Sequence, residues 1–188
     1  MKGSFSIALL HYPVYDKHKK MVTTAVTNLD IHDIARAACT FGVSAYYIVT
    51  PTEEQQELVK RITQHWQSGW GATYNPERKR ALDNVKIAGS LGDVKESLKK
   101  EYGKEPVVVV TGASNHDNAI PVSDLIDRIN NEDAPFLLVF GTGWGLTESI
   151  FEEADIILEP IYGVGDYNHL SVRSAVSIYL DRIFGQNR

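Results

Sequence analysis

The sequence lacks the features that mark several large classes of protein. Its 188 residues include one cysteine, Cys39, so the chain can form no internal disulfide and no metal site built from several cysteines. No apolar run approaches the ~20 residues that span a bilayer. The N-terminal stretch MKGSFSIALLHYPV has neither the length nor the cleavage site of a signal peptide. We therefore expect a cytoplasmic protein.

An excess of positive charge is also missing. The net charge is −5 and the isoelectric point is about 5.7, whereas nucleic-acid-binding proteins usually have a basic surface. This balance counts mildly against a nucleic-acid partner but leaves room for a local basic patch. With 43% hydrophobic residues and no linker, repeat or low-complexity tract, residues 1–188 are expected to form one domain.

The chain does contain a regular alternation of strand-like and helix-like segments. Runs rich in Val, Ile and Tyr alternate with segments of helical periodicity, which predicts an α/β fold with a mostly parallel sheet flanked by helices. The predicted strands are Ser6–Leu10, Val22–Val26, Ala45–Val49, Val85–Ala88, Pro106–Thr111, Phe136–Phe140 and Ile156–Glu159. The predicted helices are Ile31–Phe41, Glu53–Gln67, Asp93–Tyr102, Ser123–Asn130, Thr147–Glu153 and Asn168–Phe184.

Two local signals refine this pattern. Asp30 can cap the first helix, and Gly42 follows its end. The segment Ser68–Ala81 (SGWGATYNPERKRA) contains glycines, a proline and several charges. It is predicted to be a loop, and its length suggests a function.

Two glycine-bearing loops follow successive predicted strands in the last third of the chain. The first is Gly141-Thr-Gly-Trp-Gly145, and the second is Pro160-Ile-Tyr-Gly-Val-Gly165. Backbone groups at glycine can approach a ligand closely because no Cβ stands in the way. A nucleotide-like ligand is the natural interpretation. The alternative is that the glycines only shape tight turns.

Known phosphate-binding motifs fit the first loop poorly. No Gly-Lys-Ser/Thr follows it, which excludes a P-loop. The strand, glycine turn, helix and strand that end at Glu159 are close to half of a Rossmann unit, as found in dehydrogenases and Rossmann-type methyltransferases. Such a unit opens its domain, however, and here only about thirty residues follow. The late position disfavours both.

The order of these segments resembles the C-terminal half of SPOUT-class RNA methyltransferases. The similarity rests on the two glycine loops and on Tyr167-Asn-His-Leu-Ser-Val-Arg-Ser-Ala175, which opens the last helix. Asn28-Leu-Asp-Ile-His-Asp-Ile-Ala-Arg36, followed by Phe41-Gly42-Val43, is similar to the first motif of the ribose-methylating branch. The resemblance runs from about Asn28 to Phe184, and within the class it is strongest to a compact bacterial group.

The resemblance implies a deep C-terminal trefoil knot, S-adenosylmethionine bound in that knot, and a homodimer. General topology rules make knots rare, so this expectation comes from the resemblance alone. Adenine needs an apolar slot with backbone hydrogen bonds at its edge, and the ribose needs space. The residues assigned to cofactor binding are Thr111, Gly112, Gly141, Thr142, Gly143, Ile161, Tyr162, Gly163, Asn168, Leu170 and Ser171.

Three residues are the main catalytic candidates. By analogy with the ribose branch, Arg36 would favour the alkoxide form of a 2′-hydroxyl, and Asn28 would hold Arg36 or the target nucleotide. The alternatives are that Arg36 anchors phosphate and that Asn28 caps a helix. Asp166, in the last loop, is similar to the base of base-methylating members, which take a proton from a ring nitrogen. Ribose and base methylation therefore both stay open. Methyl transfer needs no metal.

Other residues are weaker candidates. His11, Asp30 and His32 can act as a base or bind substrate, and His116 follows the loop after Pro106–Thr111. The remaining candidates for RNA contacts are basic or aromatic: Lys17–Lys20, Arg78-Lys-Arg80, Trp66, Trp70 and Tyr74. Solvated charge, a dimer contact or core packing are the alternatives.

The sequence thus predicts an enzyme that transfers a methyl group from S-adenosylmethionine to RNA, either tRNA or rRNA. The rival from another class is a non-catalytic, nucleotide-binding regulatory module that uses the same glycine loops. The acidic isoelectric point supports that rival.

Overall fold

A computed structural model describes residues 3–165 and 167–185 of the chain. Six parallel strands form one sheet: β1 (Phe5–Leu10), β4 (Ala45–Val49), β5 (Val85–Ala88), β6 (Val107–Val110), β7 (Phe136–Gly141) and β8 (Ile156–Ile157). A separate antiparallel hairpin consists of β2 (Val14–Tyr15) and β3 (Met21–Val22). The helices are α1 (Asn28–Thr40), α2 (Glu53–Gln67), α3 (Trp70–Tyr74), α4 (Pro76–Leu82), α5 (Leu91–Tyr102), α6 (Val122–Asn131), α7 (Glu148–Glu152) and α8 (Val172–Phe184).

The sheet is buried on both faces, as parallel sheets require. Every residue of β1 is buried, and so are the first five residues of β7. Apolar side chains of α1, α2, α4, α6 and α8 cover one face, and those of α5 and α7 cover the other. The mostly parallel, helix-flanked sheet that the sequence predicts is confirmed.

The strand order places a natural ligand position at the centre of the sheet. The order is β5-β4-β1-β7-β6-β8, so the chain leaves β1 to one side and later returns to fill the other side. In open parallel sheets, ligands bind outside the carboxyl ends of the strands where the order reverses. Here that position lies between the ends of β1 and β7, at His11 and Thr142.

The segment predicted as a long loop, Ser68–Ala81, is largely helical, and that prediction is wrong. It forms α3 and most of α4. The missed signal is Asn75-Pro76: the Asn75 side chain accepts a hydrogen bond from Arg78 N at 3.0 Å, and Pro76 occupies the first turn. An Asn cap followed by proline is a common helix start.

Three other local predictions need correction. Asp30 does not cap α1: Thr27 is the cap and accepts from Asp30 N, while its hydroxyl donates to the Asp30 carboxylate at 2.6 Å. Of the predicted strand Val22–Val26, only Val22 lies in a strand, β3. The last helix begins at Val172 instead of Asn168, because Ser171 caps it. Gly42 does follow α1, with φ of 71°.

Candidate active site

The loops that follow β6 and β8 meet at the carboxyl edge of the sheet. Asn168 Nδ2 donates to Ala113 O at 2.9 Å, and Tyr162 OH donates to Asn115 Oδ1 at 3.3 Å. These contacts bring Thr111 and Gly112 to the same end of the molecule as Ile161, Tyr162, Gly163 and Asn168. The residues predicted to bind cofactor from these two loops thus lie together, and the place where the two loops meet is here called the notch.

The walls of the notch are anchored to the core. Thr111 is buried and its hydroxyl donates to Val139 O at 3.0 Å. Tyr179 OH donates to Glu159 O at 2.7 Å, which fixes the end of the β8 segment against α8. Burial raises the pKa of Tyr179 to about 12, so this phenol keeps its proton at neutral pH.

The rim of the notch is open and partly apolar. Tyr162 and Leu170 are exposed, whereas Ile161 packs against the core. Among the described residues, a Cβ added at Gly163 would find only Tyr167 O nearby, at 3.7 Å. This part of the chain therefore leaves space for a ligand at Gly163. Ser171 uses its side chain to cap α8 by accepting from Ser174 N at 3.3 Å.

The glycine loop after β7 pairs with the β2–β3 hairpin through backbone hydrogen bonds. Trp144 N donates to Tyr15 O, and Tyr15 N donates to Gly145 O, each at 2.9 Å. Gly143 has φ of 59°, and a Cβ there would lie 2.9 Å from Tyr15 O. A Cβ at Gly141 would lie 2.8 Å from the side chain of Leu146. The fold itself requires glycine at these positions, with or without a ligand.

A buried polar chain lies at the point where the strand order reverses. His11 Nδ1 lies 3.1 Å from Thr24 Oγ1, which contacts Thr142 Oγ1, and Thr142 in turn donates to Leu10 O at 3.0 Å. His11 is fully buried, and its Nε2 has no hydrogen-bond partner among the described residues. Burial lowers the pKa of His11 to about 4, against a smaller opposite effect of Asp30. The ring is therefore neutral at physiological pH.

Sequence reasoning missed the role of Thr24 in this chain. Thr24 and Thr142 are 118 positions apart, and both are held at the end of β1, because Thr24 N donates to His11 O and Thr142 N donates to Leu10 O. A periodicity pattern contains no signal for such a contact.

The predicted catalytic residues of α1 lie on its outer side. Asn28 is its first residue and lines a cleft of about 360 Å³ together with His32, Trp66 and Arg78. Arg36 is exposed and lies two helical turns further along, about 12 Å from Asn28. Burial lowers the pKa of His32, and the Arg78 and Arg36 guanidinium groups add to this against the opposite effect of Asp33. Among the described residues, nothing joins Arg36 to the notch.

An ion pair links the start of α1 to the start of α8. Arg173, which lies in the last motif but is not among the predicted site residues, contacts Asp30 at 3.0 Å and Asp33 at 3.4 Å. Asp30 is buried and cannot easily reach a substrate. His116 stacks on Phe151 with ring centroids 4.3 Å apart. Asp166, the candidate base, lies outside the described residues.

Two further findings concern metal ions and membranes. Among residues 3–165 and 167–185, no cluster of three or more His, Cys, Asp or Glu side chains is arranged to hold a metal ion. None of the helices in those ranges has the length and apolar character needed to cross a bilayer.

Comparison with protein families matches residues 4–185 to the model described as "SAM-dependent RNA methyltransferase". A protein of Aquifex aeolicus whose name states no function is 44% identical over 182 residues, which cover 97% of this chain and 89% of that protein. A protein of Nitratidesulfovibrio vulgaris named tRNA (guanine-N(1)-)-methyltransferase is 43% identical over 178 residues. The match covers 95% of this chain but only 41% of that relative.

The fold is similar to that of SPOUT methyltransferases of known structure. The SpoU methyltransferase AviRb from Streptomyces viridochromogenes, solved in complex with the cofactor AdoMet, matches with a TM-score of 0.61. The match covers 98% of this chain and 58% of AviRb, at 14% identity. This likeness shows the SPOUT fold, while the trefoil knot of this chain stays a prediction.

Proposed function

The chain belongs to the family of SAM-dependent RNA methyltransferases, and on that premise we propose that the notch between the β6 and β8 loops holds S-adenosylmethionine. The observation that carries the proposal is the pair of hydrogen bonds from Asn168 and Tyr162 to the loop after β6. They bring residues from two strand ends around the free space at Gly163. The cofactor supplies an activated methyl group, so the protein needs to align the acceptor and accept its proton.

The residues present fit such a ligand. Ile161 and Leu170 offer apolar surface for an adenine ring, and backbone groups near Gly163 can bind its edge without obstruction by a side chain. In this proposal the loop after β7 has a structural role. It pairs with the hairpin, and its Thr142 hydroxyl contacts Thr24 in the buried chain that includes His11.

Calorimetry with S-adenosylhomocysteine tests the cofactor site. Gly163→Val should weaken binding strongly, because a branched side chain would occupy the space that the described residues leave open at this position. Gly92→Val on α5 is the matched control, since its Cβ would find only Ser90 Oγ, at 3.5 Å, and it lies far along the chain from the notch. Equal affinities for both variants would show that the cofactor binds outside the notch.

We propose that the methyl acceptor is a nucleotide of tRNA or rRNA. Two relatives named tRNA (guanine-N(1)-)-methyltransferase support tRNA, although the chain spans only 41% of each. Mass spectrometry of nucleosides from a strain that lacks the gene identifies the product. Loss of a 2′-O-methylated nucleoside would assign ribose chemistry and favour Arg36, whereas loss of a base-methylated nucleoside would favour Asp166.

A homodimer in the cytoplasm completes the proposal. Exposed apolar side chains near the start of α1 and in the last loop support a partner contact: Leu29, Val164, Tyr167 and Leu170 are all exposed in the single chain. Tyr179 and Ile183 of α8, in contrast, are buried in the chain's own core. Light scattering should give twice the 21.0 kDa chain mass, and a 21.0 kDa particle at micromolar concentration would contradict the dimer.

A further inference from the structure

A stacked pair of aromatic rings projects from α3. The rings of Trp70 and Tyr74 lie 4.8 Å apart at an interplanar angle of 20°, and each residue is 70% exposed. Two large aromatic side chains of one short helix therefore stand in solvent with their outer faces free. Such an arrangement contributes little to the core and marks an interaction site.

Close packing of α3 against α2 fixes the position of this pair. A Cβ at Gly69 would lie 2.6 Å from His65 O, and a Cβ at Gly71 would lie 2.7 Å from the Trp66 ring. Only glycine at both positions lets α3 pack against the end of α2. This close packing turns Trp70 and Tyr74 outward instead of letting them cover the core.

The sequence segment that contains the pair is rich in positive charge. Between Lys60 and Asp83 the chain has five lysines and arginines but two carboxylates, whereas the whole chain carries a net charge of −5. Arg78 lies over the Trp66 ring, 4.5 Å from its centroid. Neither Arg78 nor Arg80 has an ion-pair partner within the described ranges. Helix α4, which carries both arginines, packs against α3, which carries the two exposed rings. Guanidinium groups and rings on neighbouring helices match the phosphates and bases of a nucleic-acid strand.

The surface continues to the predicted catalytic helix. Arg78 and Trp66 also line the cleft that contains Asn28 and His32. In this cleft His32 Nδ1 is buried without a hydrogen-bond partner in the described part of the chain. A strand that stacks on Trp70 and Tyr74 would pass this cleft before it reaches the start of α1.

We propose that Trp70, Tyr74, Arg78 and Arg80, here called the aromatic–basic surface, bind a single-stranded segment of the RNA substrate. Bases stack on the two rings and phosphates contact the two arginines. This inference rests on the proposed function, because it assumes an RNA substrate. A second copy of the chain is the less suitable occupant, since a symmetric contact would bring the same unpaired arginines together.

The test measures RNA affinity by fluorescence anisotropy, with a labelled single-stranded oligoadenylate and with bulk tRNA as probes. Trp70→Ala/Tyr74→Ala should weaken binding of both probes by about tenfold or more, because stacking contributes on that order for each base. Trp70→Phe/Tyr74→Phe keeps two flat rings and should bind nearly as well as the unaltered protein. Affinity for S-adenosylhomocysteine should stay the same in all of them.

A charge series tests the phosphate contacts. Arg80→Gln should lower the slope of log affinity against log salt by about 0.7, the amount expected for one contact to a single strand. Lys100→Gln is the matched control, because Lys100 is exposed and unpaired among the described residues but lies on α5, across the sheet. Its slope should not change.

Three outcomes would overturn the proposal. Unchanged RNA affinity in Trp70→Ala/Tyr74→Ala would show that the aromatic–basic surface does not bind RNA. The proposed function as an RNA methyltransferase would not be affected by that result. A shift of that variant from dimer to monomer in light scattering would assign the rings to a subunit contact. If the unaltered protein binds S-adenosylhomocysteine but neither RNA probe, the proposed RNA substrate fails, and the surface fails with it.

Discussion

Arg173 Nη1, near the start of α8, donates a hydrogen bond to Oδ1 of Asp30 on α1 at 3.0 Å. The Asp30 side chain is only 8% exposed, and the Thr27 hydroxyl also donates to it. The contact ties the helix that follows the proposed cofactor loop to the helix that carries Asn28 and Arg36.

Removing the Arg173 charge should destabilise the protein. Arg173→Gln leaves a buried carboxylate with a hydroxyl donor only, and breaking a fully buried pair costs about 3–5 kcal/mol. Because 31% of the Arg173 side chain is exposed, water can compensate in part, and we expect a loss of about 2 kcal/mol. Chemical denaturation measures it.

The control for this variant is Arg61→Gln. Arg61 pairs with Glu57 at 3.1 Å, but both side chains are more than half exposed. Exposed pairs contribute little, so we expect a change below about 0.5 kcal/mol. Similar losses in the two variants would show that the Asp30–Arg173 pair has no special role in stability.

Acid should destabilise the protein through His11. Its folded pKa of about 4 lies below the ordinary value of 6.5, so the unfolded chain takes up the proton first as the pH falls. This contribution to stability is complete above pH 6.5 and is lost as the pH falls towards 4. The loss amounts to about 3 kcal/mol for a shift of this size.

His11→Gln isolates this effect, because glutamine can still bond to Thr24 but does not titrate. Unfolding free energies measured at about pH 7 and about pH 4.5 should differ less in the variant than in the unaltered protein. Identical pH dependence would mean that His11 is protonated as easily in the folded state as in the unfolded chain.

The sequence and the structure agree where local patterns decide the outcome. Apolar runs such as Phe136–Phe140 predict buried strands, and β7 is one. Long-range contacts could not be predicted in this way. Ligand contacts at the glycines of the β7 loop stay a prediction, and the structure adds a second reason for glycine there: a Cβ at Gly143 would lie 2.9 Å from O of Tyr15, which lies far away in the sequence. Asn75-Pro76 was readable as a helix start, whereas the ion pair of Arg173 with Asp30, 143 positions apart, has no local signal.

Gly143→Val should unfold the protein more easily, whether or not the cofactor contacts this position. Valine is strained at φ of 59°, and its Cβ would press on Tyr15 O. We expect a loss of about 2–4 kcal/mol in denaturation experiments. Normal stability with lost S-adenosylhomocysteine binding would instead assign Gly143 to the ligand.

Substitution of Arg36 separates an RNA anchor from a catalytic group. Arg36 is exposed and lies near His32 and Arg78, so its place on the outer side of α1 suits a phosphate contact. Arg36→Lys keeps a charge that binds phosphate but loses the planar fork that positions a hydroxyl group. For an anchor, we expect KM for RNA to rise modestly, kcat to stay nearly constant, and affinity for S-adenosylhomocysteine to be unaffected.

The opposite pattern would assign Arg36 to the chemical step. A steep fall of kcat with an unchanged KM means that an interaction made only in the transition state has been lost. Because the described residues of one chain leave Arg36 without a contact to the notch, that result would require the partner subunit to bring it there. Mixing Arg36→Lys chains with Gly163→Val chains then decides the matter. If Arg36 acts on the cofactor of the partner, each mixed dimer has one complete site, in which the intact notch of the Arg36→Lys chain meets the native Arg36 of the Gly163→Val chain, and activity is partly restored. If Arg36 acts within its own chain, one site has an intact notch but lacks Arg36, the other has Arg36 but a blocked notch, and activity stays low. A doubly substituted chain paired with the unaltered chain is the matched comparison, because that mixed dimer gives the opposite pattern.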